Sequence, residues 1–515
     1  MALFAHYALD LHQRLAQLGW TEYTGLALAI LAAVFIYRLI RELYFSPLRH
    51  IPGPLFARLT KRYYEVVVAT GQMAPDARRN TQKYGNIYVC QPNGVSISNP
   101  ADIRAVLSST AFLKHDYYKI LRFTGIDSIM STRDPHMVSM KRRMLGPYFS
   151  STYVSRMEPL ILEHGINAIK RKWDGLLKDG GRAEVNFCST FTLCTFNIVS
   201  RLVYGQEIEV FKTTSSADTL EWMSSSTNYI SVRALLQLLP RPLFYIITLP
   251  WEHKYKQIAS YVYGSIAERK QLLAKLKSID EKSRPVDLLQ ALVDCEEPES
   301  KVRLTGEQIH AESLLLLIGG IDPTAYSLTW TLHLFMLYPD CYREATREVR
   351  GIFGAHHTVT YAEAKAQLPY LEACILESMR LVTVPGVQIP RTTPPGGTTI
   401  QGQYLPEGTI VFANLWGSHH SAEFWHEPGR FDPTRFLNNK RAQHSVFTFG
   451  YGNRICMGKQ LALIKMFTIL ANLLKDYDMS LPEDYTRRGP HVLDEGGYPR
   501  LMDMTHPCIR ILIVD

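Results

Sequence analysis

An uncharged apolar run, YTGLALAILAAVFIY from Tyr23 to Tyr37, marks the start of the chain. Leu39, Ile40, Leu43, Tyr44 and Phe45 prolong it around Arg38 and Arg41. The run is somewhat shorter than the ~20 residues that cross a bilayer comfortably, but arginines at its end can snorkel to the interface. A cleaved signal peptide carries its basic residues before the apolar stretch, whereas here they follow it. A buried core helix fits poorly with IPGP, Ile51 to Pro54, which reads as a stiff hinge. The pattern predicts a membrane anchor over residues 1–46, crossing at about 22–45, a proline-rich hinge over 47–54 and one domain over 55–515. Six lysines and arginines against one acid between Tyr37 and Arg62 put that domain on the cytoplasmic side.

Beyond the hinge most segments carry helical spacing. Thr305 and Gln308 form a capping-box pattern, and the helix they open runs to Tyr338, before Pro339, for about 50 Å. Pro369 opens a second helix, YLEACILESMRL, stopped before Pro385, and a third runs from Gly458 to about Tyr477. Strand-like segments are few: Ile87 to Ser98 as a hairpin turning at Asn93–Gly94, then Val387 to Ile400 and Thr409 to Phe412. The expectation is a mainly α chain with small β-sheets, an α+β fold.

Composition changes this picture only a little. Length alone, 515 residues, suggests two or three domains, and 46% apolar with 20% charged residues allows a core large enough to enclose a cofactor. The net charge of +8 is small over this length: it favours an anionic membrane surface weakly and gives no case for nucleic acid. Eight scattered cysteines without a Cys-x-x-Cys pair speak against a disulfide framework and against a zinc site.

The chemistry concentrates in FGYGNRICMG, Phe449 to Gly458. A cysteine just before a helix gains from the helix N-terminus, whose N–H groups favour the thiolate. Gly452 and Gly458 let the backbone approach a flat ligand, and Arg454 can pair with an anionic substituent of that ligand. A lone cysteine in such a place is ordinarily a small buried hydrophobe. The spacing argues otherwise: Phe449, Gly452, Arg454, Cys456 and Gly458 occupy all five fixed positions of Phe-x-x-Gly-x-Arg-x-Cys-x-Gly. In this the chain resembles the cytochrome P450 family, and the resemblance implies a triangular helical fold, haem b as cofactor and Cys456 as axial ligand to its iron.

Further matches follow in family order. Glu377 and Arg380 match the Glu-x-x-Arg pair and share one helical face, and Arg435 in FDPTRF matches the arginine that completes that network. The resemblance makes these three structural. It makes Arg142, in DPHMVSMKRRMLGPYFS, and Arg391 partners of the haem propionates beside Arg454; Val138 stands where the family usually has Trp or His. On the long helix Gly319 and Gly320 leave room above a haem, and Asp322 suits proton delivery. The family's threonine is replaced by Pro323, followed by Thr324, and a proline there frees the carbonyl of Gly319.

The function so implied is a monooxygenase acting on a lipophilic small molecule, taking NADPH-derived electrons from a separate NADPH–cytochrome P450 reductase at the endoplasmic reticulum membrane. Lys141, Arg143, Lys459 and Lys465 are candidates for the reductase-facing surface. Substrate contacts fall after Phe112, between Tyr204 and Pro250, at Val382 to Ile389 and near Gly496 to Met502. Pro323 also admits an isomerase or dehydratase that consumes no NADPH, and a non-catalytic haem sensor stands further off. The IPGP hinge and the HHSAEFWHEPGRFDPTRF stretch resemble filamentous-fungal members, many of which oxidise terpenoid, polyketide or alkaloid intermediates.

Overall fold

The computed structural model describes residues 19–122, 124–178, 181–206, 220–221, 241–276, 287–384, 388–482 and 510–514. The apolar run forms α1, Trp20–Ile40, which passes into a π-helical turn, Arg41–Phe45. Among the described residues Tyr23–Phe45 is the one helix long and apolar enough to cross a membrane, and it lies outside the packed body. The IPGP segment after it is docked. Val89 N–H donates to the Pro52 carbonyl over 2.8 Å, and Ile51 is buried. A Cβ on Gly53 would lie 2.6 Å from the Val89 carbonyl oxygen, so glycine permits this approach.

A five-stranded sheet follows, built from β1 (Ile87–Gln91), β2 (Gly94–Ile97), β3 (Leu113–Lys114), β4 (Gln388–Thr392) and β5 (Ile410–Asn414), in the order β1-β2-β5-β4-β3. Only the β2–β5 pairing is parallel. The hairpin turns one residue earlier than the sequence suggests: Gln91 pairs with Gly94, and Pro92 with Asn93 make the turn, Asn93 at φ +56°. Asparagine tolerates that left-handed conformation and proline pre-sets the position before it. Helix α2 (Pro100–Ser108) covers this sheet, and Ile103, Val106 and Leu107 pack with Val95, Ile97 and Phe447 in a small second core. A second sheet pairs Arg510–Val514 with Arg182–Asn186 and Asp478–Ser480.

The main core is helical. It is formed by α3 (Pro135–Leu145), α4 (Phe187–Tyr204), α5 (Arg241–Leu276), α6 (Gly306–Leu337), α7 (Pro369–Leu381) and α8 (Lys459–Asp476). The expected capping box is present: Thr305 Oγ1 accepts from Gln308 N–H at 3.2 Å and the Gln308 side chain accepts from Thr305 N–H at 2.9 Å. Helix α6, 32 residues and about 48 Å long, stays helical through Pro323. It lies against α4 so closely that a Cβ on Gly320 would be 3.0 Å from Val199.

Candidate active site

The cysteine loop turns on two glycines, Gly450 at φ +72° and Gly452 at φ +69°. Cys456 N–H donates to the Phe449 carbonyl over 2.8 Å and closes the turn before α8. Gly452 meets protein backbone on its Cβ side. A Cβ there would meet the Leu107–Ser108 backbone at 2.6–2.7 Å, so this glycine lets the loop pack on the end of α2. Gly458 does border the cavity, and a Cβ on it would sit 3.9 Å from the Cys456 sulfur.

Behind the loop stands a residue that no motif marks. His419 is fully buried; its Nε2 accepts from the Phe447 N–H at 2.9 Å, and its Nδ1 lies 2.8 Å from Thr383 Oγ1. Burial, with Arg380 nearby, pulls its pKa down to about 3, so the ring is neutral. With Nε2 accepting, Nδ1 carries the proton and donates to the Thr383 hydroxyl. The tautomer is thereby set by the backbone of the cysteine loop.

Cys456 keeps exposed surface, and it lines the cavity. Burial pushes its thiol above the ordinary range. The N–H groups of Gly458 and Lys459 and the charges of Arg142 and Lys459 oppose this without reversing it. The thiolate-favouring helix end expected from sequence is present but weaker than desolvation. A bound metal cation would tip that balance, because a coordinating thiol is deprotonated.

The cavity has a volume of about 1860 Å3. On the wall formed by α6 stand Gly319, Gly320, Asp322, Pro323 and Thr324. Gly319 faces open space, with only Leu315 near a Cβ position at 3.8 Å, whereas Gly320 serves the α4 contact. Asp322 also faces Tyr326, one turn on, and Cys188 at the start of α4; both are pushed up, by burial first and by this carboxylate second for Tyr326. The segment after Phe112 lines the cavity through Lys114 to Leu121, Ile129 and Met130, and the one after Val382 through Thr383, Val384, Gln388 and Ile389. Most of the expected Tyr204–Pro250 segment, residues 385–387 and the Gly496–Met502 segment lie outside the described residues.

At one end the cavity collects positive charge. Arg142, Arg391 and Arg454 all line it, joined by Lys114, which sequence reading did not single out. Sheet register makes the junction, because Lys114 on β3 is the direct partner of Arg391 on β4. Like charges directly opposite on a ladder repel. Burial, then Arg454, Arg391 and Arg142, bring Lys114 down to about 6, and burial with Arg391 and Arg142 brings Arg454 to about 10. Arg142 bonds the Ile455 carbonyl, Arg391 reaches Tyr118 Oη at 3.2 Å and Lys114 Nζ reaches the Met130 carbonyl at 2.6 Å. Among the described residues no carboxylate forms an ion pair with any of the four. Arg142 Nε and Arg454 Nη1 are buried without a hydrogen-bond partner.

Glu377, Arg380 and Arg435 meet away from this cavity. Arg380 donates to Glu377 from Nε (2.6 Å) and Nη2 (2.8 Å), Arg435 Nε does so at 3.2 Å, and Asp432 N–H adds a fourth bond at 2.9 Å. Arg380 also donates to the carbonyls of His419 and Pro428. Glu377 and Arg380 are fully buried, not the exposed surface pair that Glu-x-x-Arg so often is.

A profile of the family described as Cytochrome P450 matches residues 52–491. The chain belongs to the cytochrome P450 family. Among its relatives are Cytochrome P450 monooxygenase helB1 of Aspergillus fumigatus, 40% identical over 92% of this chain and 82% of the relative, and helB2 of the same fungus, 40% identical over 90% and 91%. Cytochrome P450 monooxygenase apf7 of Gibberella fujikuroi is 27% identical over 87% of this chain and 89% of the relative. The P450 chain is thus a monooxygenase with haem b as its cofactor.

The cavity fits that group. Its volume exceeds the ~300–1,000 Å3 of a single small-molecule site, leaving room for a cofactor and a substrate. A sulfur opens onto it, and the unmatched cations suit the two carboxylates that haem b carries. The basic surface expected of this P450 needs correction. Lys141 is buried in an ion pair with Glu312 at 2.7 Å, and Lys465 is buried against α6. Apolar packing around both stems took these ammoniums inside, and only Arg143 and Lys459 stay exposed.

Proposed function

We propose that Cys456 ligates the haem iron as thiolate and that Arg142, Arg391 and Arg454, with Lys114, hold the propionates. The observation that carries this reading is that sulfur, cations and the Gly319–Thr324 wall all face one cavity. Bound haem supplies oxygen activation and one-electron chemistry, for which a thiolate ligand is suited. The chain's own residues do the rest. Leu315, Ile318, Val384 and Ile389 give the substrate an apolar seat and exclude water. Asp322, with the Thr324 hydroxyl and water, passes protons from the α4 side of α6 to the cavity. Phe449 and Gly450 floor the site beside the sulfur, and the Glu377–Arg380–Arg435 network with His419 holds the loop that carries it.

The substrate is a lipophilic small molecule, of the terpenoid, polyketide or alkaloid class of fungal secondary metabolism. The apolar lining and the Aspergillus and Gibberella relatives support this. Electrons come from NADPH through a separate NADPH–cytochrome P450 reductase, with Arg143 and Lys459 on the docking face. The α1 helix anchors the chain in the endoplasmic reticulum membrane with the domain in the cytoplasm, where lipophilic substrate and reductase both reside.

The test is an absorption spectrum of the reduced, carbon-monoxide-bound protein in membranes, with Cys456→Ser alongside. The expected result is a thiolate-shifted Soret band that the serine variant loses; an unchanged band in that variant refutes the ligand. Asp322→Asn is expected to slow product formation by roughly 10–100-fold and to divert reducing equivalents to peroxide. Unchanged coupling would remove Asp322 from the proton path.

A further inference from the structure

Lys465 lies nine residues beyond Cys456 on α8, yet its side chain does not reach the surface. It is buried, and its Nζ stands 2.6 Å from the carbonyl oxygen of Gly320 on α6. That carbonyl is the one hydrogen-bond partner the ammonium has among the described residues. A buried ammonium is costly unless its bonds are worth the desolvation. Burial lowers its pKa to about 8, held there by the neighbouring Cys194 and Cys456, so at neutral pH the group remains a charged donor.

The carbonyl it has found, Gly320, sits next to the one that the proline leaves open. In an unbroken helix each carbonyl is taken by the N–H four residues on. Pro323 supplies no N–H, so the Gly319 carbonyl loses its helical partner, and the proline ring crowds the same turn. A side chain that inserts where the ladder is opened is a recognised cause of a helix bend. A second side-chain donor lies just beyond: Ser327 Oγ gives its hydrogen to the Pro323 carbonyl at 2.7 Å. Donors of this kind tilt carbonyls away from the helix axis. The proline turn is thus flanked by Lys465 on one side and Ser327 on the other, and Gly319, Gly320, Asp322, Pro323 and Thr324 of that turn line the cavity.

We infer that Lys465 is a positioning residue, which grips the Gly320 carbonyl and fixes the shape of the proline turn on the cavity wall. The inference rests on the haem-thiolate reading of that cavity. The ammonium ties the helix that follows the cysteine to the helix opposite it, so sulfur and proline turn are held at one spacing. A charge-assisted bond does this more firmly than the neutral bond it supplements.

The test compares Lys465→Met, which keeps the length and loses the donor, with Lys465→Arg, which keeps a charged donor. Three quantities are read on the full-length haem-loaded protein: the Soret band of the reduced, carbon-monoxide-bound form, amide hydrogen exchange over residues 318–327, and the rate of reoxidation by dioxygen without substrate. In Lys465→Met the band is retained, exchange across the turn speeds up about tenfold and reoxidation changes at least about threefold, the effect of losing one bond to a charged group. Lys465→Arg returns both rates toward wild type. Wild-type exchange and reoxidation in the methionine variant overturn the inference. So does an arginine variant as perturbed as the methionine one, since side-chain shape would then matter and not the donor. Loss of the band in Lys465→Met alone also overturns it, because the ammonium would then support the cysteine loop itself. Absence of the band in wild type instead refutes the haem-thiolate reading.

Discussion

Two buried clusters of arginine sit within the same domain and are completed in different ways. Around Glu377 the cations find acceptors within the chain: Arg380 and Arg435 share its carboxylate, carbonyls of His419, Pro428 and Arg430 accept from Arg380, and the Glu427 carbonyl accepts from Arg435. Around Arg454 three guanidiniums and the Lys114 amine face one another, and two of the guanidinium nitrogens are buried without a partner. A cluster closed within the chain needs nothing from outside and holds the fold. A cluster left open stores repulsion that only an anionic ligand relieves. Buried charges thus separate structure from site by whether the chain itself neutralises them.

The sharpest way to break the comparison is to open the closed cluster. Glu377→Gln leaves Arg380 and Arg435 buried beside a neutral amide. It is expected to cost about 3–5 kcal/mol, seen as a large fall in Tm and in the yield of haem-loaded protein. A variant with wild-type Tm would show that the network is not what holds the loop.

The open cluster answers with the opposite sign when empty. If Arg391 holds a propionate as proposed, Arg391→Ala speeds haem loss to an acceptor protein by roughly 10–100-fold, while the haem-depleted protein melts no lower than wild type. A haem-depleted variant that melts well below wild type would make Arg391 a structural residue like Arg380.

A third test is in pH. The folded, haem-free chain holds Lys114 at about 6, below its ordinary lysine value, so the unfolded chain binds that proton first as pH falls. Stability of the haem-depleted protein therefore rises with pH between about 6 and the ordinary lysine range, and is flat in this group below 6. Lys114→Met removes that slope, and bound haem, whose carboxylates favour the charged amine, suppresses it. Denaturant midpoints across this pH range, with and without haem, check the sign.

Much of this was legible along the chain because it is local. The α6 capping box needs residues three apart, α7 and α8 are opened by Pro369 and Gly458, and the cysteine loop lies within ten residues. Such features depend on backbone conformation and nearest neighbours, which a sequence states directly. The cavity-facing places of Cys456, Arg142, Arg391, Arg454 and Asp322 were readable through the motif and its resemblance, since that pattern carries spatial information the residues alone lack.

What the chain order left open depends on partners far apart in sequence. Lys114 meets Arg391 across a strand register, and a two-residue strand gives no periodicity from which to foresee it. His419 joins the cysteine loop through a backbone N–H that any residue at Phe447 would present. Gly452 packs on α2, and Gly320, although it lines the cavity, also meets Val199 of α4, contacts that their motifs do not state. Lys141 and Lys465 look like surface charge because lysine is almost always exposed, and only packing shows that each has a buried acceptor. Sequence by itself determined the helices, the cysteine loop and the family they resemble, since short-range hydrogen bonding and spacing decide them. Tertiary structure alone decided which cations are matched and which await a ligand, because electrostatic neutrality is settled by distance in space and not along the chain.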